Sequence, residues 1–342
     1  MPVSTTTSAA PTSSQLTHDA GHLKLRGHQT APTTTAYAQL DAVGYEVVKG
    51  VISPEKAKEY ADRMYNYVES FGLGFKKDDR STWHVENLPK FNKGGMIARY
   101  GAGHEQFAWD IRSEPELMKT FGKIWNTEEL LVSFDIVNVS LPFPKEERSD
   151  LMTAPWPHVD QSPARRFKHC IQGIMNFEEN GPDDGGLMVL DGTLPLYAEF
   201  FDNNKHDIPL HNGQLLDSYH YTEAQLQWFY DRGCKWKKVE AGPGDVILWD
   251  SRCIHYGAAA KGDRPRVATY VCYKPARDVE PDVLELRKKC IENWWTTSHD
   301  PLMFRVTGAQ AMGKLTEDER TQPPVLPVLS DRAKQLAGVL PY

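Results

Sequence analysis

Hydrophobic positions recur at two periods along the chain, and the order of those periods predicts its architecture. Gly44-Tyr45-Glu46-Val47-Val48 carries a short strand signal, and Ser53-Pro54 then opens a helix with Ser as N-cap and Pro at the first helical position. Ala57, Tyr60, Ala61, Met64, Val68 and Phe71 fall on one face of that helix, and Gly72 ends it. A strand feeding such a stripe predicts a helix laid on a sheet. Residues 73–110 hold no sustained period and read as a loop-rich connection dotted with Trp83, Tyr100 and Trp109. Ser113-Glu114-Pro115-Glu116 has the spacing of a capping box, and the helix it starts turns Leu117, Phe121 and Trp125 inward.

From Leu130 the pattern changes to strands. Leu130 to Leu141 reads as one long strand, with Asn138 and Ser140 set among apolar neighbours, and Cys170 to Phe177 reads as another. Asn180-Gly181-Pro182-Asp183-Asp184-Gly185-Gly186 is a strong turn, from which Leu187 to Leu190 returns as a partner strand. Residues 194–238 interrupt this rhythm and read as a helical lid insertion, with a helix capped by Thr222 and Gln225 carrying Leu226, Phe229 and Tyr230. Val246–Trp249, a strand at His255 and Val267–Tyr273 resume it. A helix over about 281–295 and a Pro-rich tail from Gln322 follow. Trp294-Trp295 reads as packing of that helix, with an oligomer contact, and hence a homodimer, as the alternative. Short strands, turn signals and flanking helices predict a mainly β fold with flanking α-helices, a double-sheet jelly roll. It forms one domain over 33–300, after a disordered leader (1–32) and before a C-terminal extension (301–342).

Composition narrows the class. Apolar content of 40% and charged content of 25% suit an ordinary globular protein. A net charge of −7 and no dense Lys/Arg run argue against nucleic acid as a partner. No stretch is apolar enough to span a membrane. The five cysteines are odd in number and far apart, which favours a reducing, cytoplasmic setting over a disulfide framework. The Ser/Thr/Ala/Pro-rich start has no signal-peptide core, and targeting to an organelle stays open.

Chemistry concentrates at Pro155-Trp156-Pro157-His158-Val159-Asp160. Residues two apart on an extended segment leave the same face, so His158 and Asp160 can hold adjacent positions of one metal ion. Taken alone the pair is weak, since a strand His or Asp is more often a hydrogen-bonded surface or core group. His255, delivered by a turn and a buried strand over Gly244–Asp250, is a candidate third ligand. Two His and one carboxylate with open positions is the facial triad of non-haem Fe(II) oxygenases. Arg266, eleven residues after His255, can face the same cavity from the next strand. A metal at one end and a guanidinium at the other suit a small dicarboxylate.

The set His158-x-Asp160, His255 and Arg266 resembles the Fe(II)- and 2-oxoglutarate-dependent oxygenases, and more narrowly fungal members of the phytanoyl-CoA dioxygenase superfamily. The resemblance covers most of 40–280 and includes Gln172-Gly173 with Asn176, Asp184-Gly185-Gly186-Leu187, and Gly244 through Arg252. It implies a double-stranded β-helix (cupin-like) fold, Fe(II) on the three ligands, and 2-oxoglutarate on Arg266. It implies a hydroxylation or other C–H oxidation of a small-molecule substrate with O2, giving succinate and CO2, with ascorbate as the reductant in vitro. Related halogenases replace the carboxylate ligand with a small residue, so Asp160 points to oxygenation. Two positions depart from the family pattern. Asp191-Gly192-Thr193-Leu194 stands where relatives carry Pro-Gly-Ser-His, and Gly257 stands where some place a Ser on the cosubstrate.

Family spacing favours Arg266 over Arg264 as the anchor. Gln172 and Asn138 are candidates for cosubstrate contact, with satisfied core polar groups as the bland reading. Trp156 and Trp249 read as core aromatics, and His169, His206, His211 and His220 as ordinary histidines. Two other functions compete. A zinc hydrolase on the same ligands leaves Arg266 unexplained, and a non-catalytic barrel leaves the intact triad unexplained.

Overall fold

A computed structural model describes residues 35–147, 154–204, 210–211, 214–215, 217–306 and 319–342. The leader expected over 1–32 lies outside them. Fourteen strands are described, and their pairings are antiparallel. The larger sheet runs β1 (Tyr45–Val48), β12 (Val246–Asp250), β6 (Ile171–Asn176), β14 (Arg266–Pro275), β4 (Val137–Ser140) and β2 (Met96–Ile97), with β3 (Leu130–Val132) on the far end of β14. The smaller runs β10 (Tyr219–His220), β5 (His158–Val159), β13 (His255–Ala258), β7 (Gly186–Asp191) and β11 (Lys235–Lys238). A hairpin of β8 (Leu210–His211) and β9 (Gln214–Leu215) stands apart. The result is the expected jelly roll.

The central strands of the larger sheet are buried on both faces, and the period of two sorts their residues. Val246 and Leu248 of β12, Ile171 and Met175 of β6, and Val267, Val271 and Tyr273 of β14 join the core under the helices. That core is closed by α2 (Pro54–Glu69), α3 (Gln106–Arg112) and α4 (Pro115–Trp125), through Ala57, Tyr60, Met64, Trp109 and Phe121. The opposite parity, Ile247, Trp249, Ile174, Ala268 and Tyr270, faces between the sheets and meets Leu187 and Val189 of β7. Gln172 and Arg266 share this inward parity, so they are delivered into the interior by strand geometry alone. Helix α1 (Ala38–Val43) precedes β1.

Several local expectations are corrected. Ser113 is not an N-cap: it ends α3, a helix the loop-rich reading of 73–110 missed, and Glu114 caps α4 without a side-chain bond of its own. The Glu114 carboxylate is instead engaged by Tyr60 and Lys56 of α2. Leu130–Leu141 is two strands, because the backbone donors of Phe134 and Ile136 turn to Thr297 Oγ1 and Asp135 Oδ1 (3.1 and 2.8 Å). The 194–238 segment holds α5 (Tyr197–Asn203) and α6 (Glu223–Tyr230), the latter with its capping box, but also supplies edge strands β10 and β11. The helix near 281 stops as α7 (Pro281–Glu292). Trp294 lies beyond it with φ +57°, outside helical geometry. The Pro-rich tail ends in a helix of its own, α8 (Asp331–Ala337), capped by Ser330. Among the described residues no helix is long and apolar enough to cross a membrane.

Candidate active site

Antiparallel register brings the two histidines together. His158 on β5 lies directly opposite His255 on β13, and their ring centroids are 4.3 Å apart. Asp160, two residues past His158, reaches both: Oδ1 is 3.4 Å from His158 Nε2, and Oδ2 is 3.2 Å from His255 Nε2. The three donor atoms lie within 4.8 Å of one another, as a shared metal ion requires.

Backbone carbonyls set the tautomers. His158 Nδ1 faces the Trp156 carbonyl at 2.8 Å, and His255 Nδ1 faces that of Cys253 at 3.0 Å. A carbonyl only accepts, so each Nδ1 carries the proton and each Nε2 keeps its lone pair for a metal. Gln172 Nε2 donates to Asp160 Oδ2 (2.9 Å), which fixes the carboxylate. Burial opposes charge on Asp160, yet the two imidazoles outweigh it and hold the carboxyl well below its usual range. Against the effect of burial the same carboxylate raises the pKa of His158, while burial lowers that of His255. A divalent first-row metal takes the place of any Nε2 proton, and one carboxylate with two Nε2 donors is a set it binds, so these residues fit iron.

The same interior space, a cavity of about 290 Å³, is lined by this triad and by Arg266. Arg266 is 6% exposed, and its NH1 donates to Asn138 Oδ1 at 2.8 Å. It has no ion-pair partner among the described residues. Arg264 is its opposite: half exposed and paired two-fold with Asp184 (3.1 and 2.7 Å). The structure thus brings His158, Asp160, His255, Gln172 and Arg266 together. Asn138 stands behind Arg266, with its amide nitrogen on the Gly94 carbonyl, and is not on the cavity wall.

Other walls were misread. Trp156 lines the cavity instead of filling a core, and Trp249 does both, packing between the sheets with part of its ring on the cavity wall. The ring of Trp156 lies nearly parallel to His158 (12°), and Lys93 Nζ sits 4.0 Å from the Trp156 ring centre. His220 is the cross-strand neighbour of His158 on β10, its ring 5.4 Å away and nearly parallel. His169 is buried against Asp300 (2.8 Å), which also takes Lys274 Nζ at 2.9 Å. The side chains of His206 and His211 lie outside the described residues. Asp135 and the Thr297-Ser298-His299 segment line the cavity too, and no motif had singled them out. His299 Nε2 donates to the Asp160 backbone carbonyl at 3.0 Å. The available signal was a polar run, Thr296 to Asp300, following a helix. Asp135, 7% exposed, has its carboxyl pushed up to about 6 by burial.

A jelly roll with a His-Asp-His cluster and a buried, unpaired guanidinium in one cavity defines a class, the non-haem iron oxygenases that use a dicarboxylate cosubstrate. The family model for phytanoyl-CoA dioxygenase (PhyH) matches residues 40–268, and the chain belongs to that family. In the general kind of reaction it is a non-haem iron, 2-oxoglutarate-dependent oxygenase. The Ava biosynthesis cluster protein O of Aspergillus versicolor is 38% identical over 260 residues, covering 75% of this chain and 83% of the relative. A putative phytanoyl-CoA dioxygenase of Dictyostelium discoideum is 22% identical, covering 75% and 80%. Among solved structures, GlcNAc Inducible Gene 2 (GIG2) of Candida albicans shares the fold, with a TM-score of 0.57 at 12% identity, covering 87% of this chain and 74% of that one.

Proposed function

We propose that this protein is an Fe(II)- and 2-oxoglutarate-dependent dioxygenase that hydroxylates, or otherwise oxidises, a C–H bond of a small organic molecule and releases succinate and CO2. One observation carries the reading: His158, Asp160 and His255 share a single cavity with Arg266, a buried cation without a carboxylate partner among the described residues. The triad would hold iron, which when bound supplies the oxidising power for C–H cleavage from O2 and 2-oxoglutarate.

The chain's own residues do the rest. The carbonyls of Trp156 and Cys253 hold the Nδ1 protons in place and so keep both Nε2 atoms available. Gln172 keeps Asp160 oriented. Arg266 takes the far carboxylate of 2-oxoglutarate in a two-point ion pair, with Asn138 steadying the guanidinium. Trp249 and Ile174 keep water from the interior face, and substrate enters along Trp156 and the 297–299 segment. The fungal relative named for a biosynthesis cluster supports a role in tailoring a secondary metabolite.

Anaerobic titration of the purified protein with Fe(II) and then 2-oxoglutarate should develop a weak visible charge-transfer band. Aerobic incubation with ascorbate and candidate substrates should then release succinate. Absence of the band, with no measurable binding of 2-oxoglutarate, refutes the proposal.

A further inference from the structure

A second basic side chain lies behind Arg266. Lys238 ends β11 opposite Met188 of β7, and its Nζ donates to Asn180 Oδ1 and to the Val239 carbonyl (3.1 Å). Asn180 gives its amide nitrogen to the Gly185 carbonyl, which holds its side chain against Gly186. Gly186 has φ +136°, and a Cβ there would lie 3.0 Å from Asn180 Oδ1 and 3.3 Å from Arg266 Nε. One glycine therefore separates the lysine's acceptor from the guanidinium. No side chain is tolerated between them, in conformation or in space.

The charges around this point do not cancel. The groups facing Lys238 are Arg266 from β14, Asp184 from the turn ahead of β7 (itself paired with Arg264), and Glu240, two residues past the end of β11. Asp184 is committed to Arg264 by two contacts, and Glu240 is exposed. Neither Lys238 nor Arg266 has an ion-pair partner among the described residues. Two neighbouring cations left without a carboxylate, one of them buried, form a place for an anion to fill. Burial, and then repulsion from Arg266, bring the Lys238 ammonium down to about 8.

We propose that Lys238 is a second cation of the cosubstrate site, a positioning residue that reinforces Arg266 across Gly186, so that binding of 2-oxoglutarate draws a proton onto the lysine. This rests on the Fe(II)/2-oxoglutarate reading above. A dicarboxylate arriving at Arg266 favours the charged lysine, and by linkage the charged lysine favours the dicarboxylate.

The test is anaerobic calorimetry of the Fe(II)-loaded enzyme with 2-oxoglutarate, in two buffers of different ionisation enthalpy, at pH 7, 8 and 9. A lysine titrating near 8 goes from roughly nine-tenths to one-tenth charged between pH 7 and 9, so wild-type affinity should fall about three- to tenfold. A fraction of a proton should be taken up at pH 8. Lys238→Met should bind as weakly at pH 7 as wild type does at pH 9, with no proton uptake there. Lys238→Arg should bind tightly at both ends of the range, and it carries the test if the Met variant does not fold. Wild-type affinity and pH profile in Lys238→Met, or weak binding in Lys238→Arg, overturns the inference and leaves the cosubstrate reading standing. A wild-type enzyme that binds no 2-oxoglutarate at any pH overturns both.

Discussion

Replacing Arg266 by Met tests the cosubstrate end of the cavity most directly. The guanidinium is 6% exposed and, among the described residues, its side-chain hydrogen-bond partner is the neutral Asn138, so its charge is left for a ligand. Removing a desolvated partner of a charge pair costs about 2–5 kcal/mol. At about 1.4 kcal/mol per tenfold, even the lower figure weakens 2-oxoglutarate binding by roughly 30-fold. Thermal unfolding with a redox-silent metal such as Mn(II) reads this without a substrate. At 100 times the wild-type Kd, bound ligand stabilises by about 2.7 kcal/mol, and a 30-fold weaker site would gain only about 0.9. For a chain of this size the difference is roughly 2–4 °C of ligand-induced shift. Comparing each protein with and without 2-oxoglutarate removes any effect of leaving Asn138 without its donor. Arg264→Ala is the control, since that side chain is half exposed and already paired with Asp184. An unchanged shift in Arg266→Met, or a lost shift in Arg264→Ala, shows that the anchor has been misassigned.

Other perturbations separate the remaining parts. His158→Ala or Asp160→Ala should abolish iron-dependent succinate release with the unfolding midpoint of the metal-free protein little changed, and full activity in either refutes the triad. Gln172→Leu removes the donor to Asp160 and should weaken metal binding about 10- to 100-fold, read by competition with a chelating dye; unaltered affinity would show the bond to be incidental. Asp135→Asn should stabilise the protein at neutral pH. A carboxyl raised to about 6 by burial binds its proton more tightly folded than unfolded, so its contribution is full below about pH 4 and lost as pH rises through 6. Two units correspond to about 2–3 kcal/mol, and urea unfolding of the variant should lose that slope between pH 4 and 6. Asp300→Ala strands the buried Lys274 and should cost about 3–5 kcal/mol in the same assay; a change below 1 kcal/mol would mean water replaces the carboxylate.

How far the sequence carried depends on how each residue is delivered. His158 and Asp160 were legible because they sit two apart on one extended segment. His255 was legible as the end of a turn-and-strand unit whose register sets it opposite His158. Arg266 separates from Arg264 because it opens β14 and shares its inward face with Ala268 and Tyr270, whereas Arg264 lies ahead of the strand and is taken up by Asp184. Local misreadings came where a residue satisfied a neighbour in space instead of in sequence. Glu114, which takes the N-cap position expected of Ser113, gives its carboxylate to α2 instead of to its own helix, and Asp135 with Thr297 breaks a run that periodicity alone joins into one strand. Helix α8 was hidden because only Ala333, Leu336 and Ala337 of its seven residues are buried, too few to stand out after a Pro-rich stretch.

The parts of the cavity that stayed hidden share a cause. In strands buried on both faces apolar periodicity disappears, and the informative residues are the polar ones that persist at inward positions, here Gln172 and Arg266. Those could be picked out because a barrel interior has little other use for them. Thr297, Ser298 and His299 are held differently. Asp300 anchors the segment by accepting Lys274 and His169 through one oxygen and the amides of Leu302 and Met303 through the other. Thr297 completes the join by pairing with Phe134. Lys274, His169 and Phe134 all lie far from this segment in sequence, so no local pattern announces the wall. This wall also lies past residue 268, where the family match ends, whereas the proposed metal ligands and Arg266 lie within it. The family-matched region thus holds the His-Asp-His cluster and the buried guanidinium at the other end of the cavity. The segment anchored by Asp300 is joined to the cluster's end of the cavity through His299, whose Nε2 donates to the Asp160 carbonyl, so the late wall and the early site are held to one another by a contact that neither stretch of sequence reveals alone.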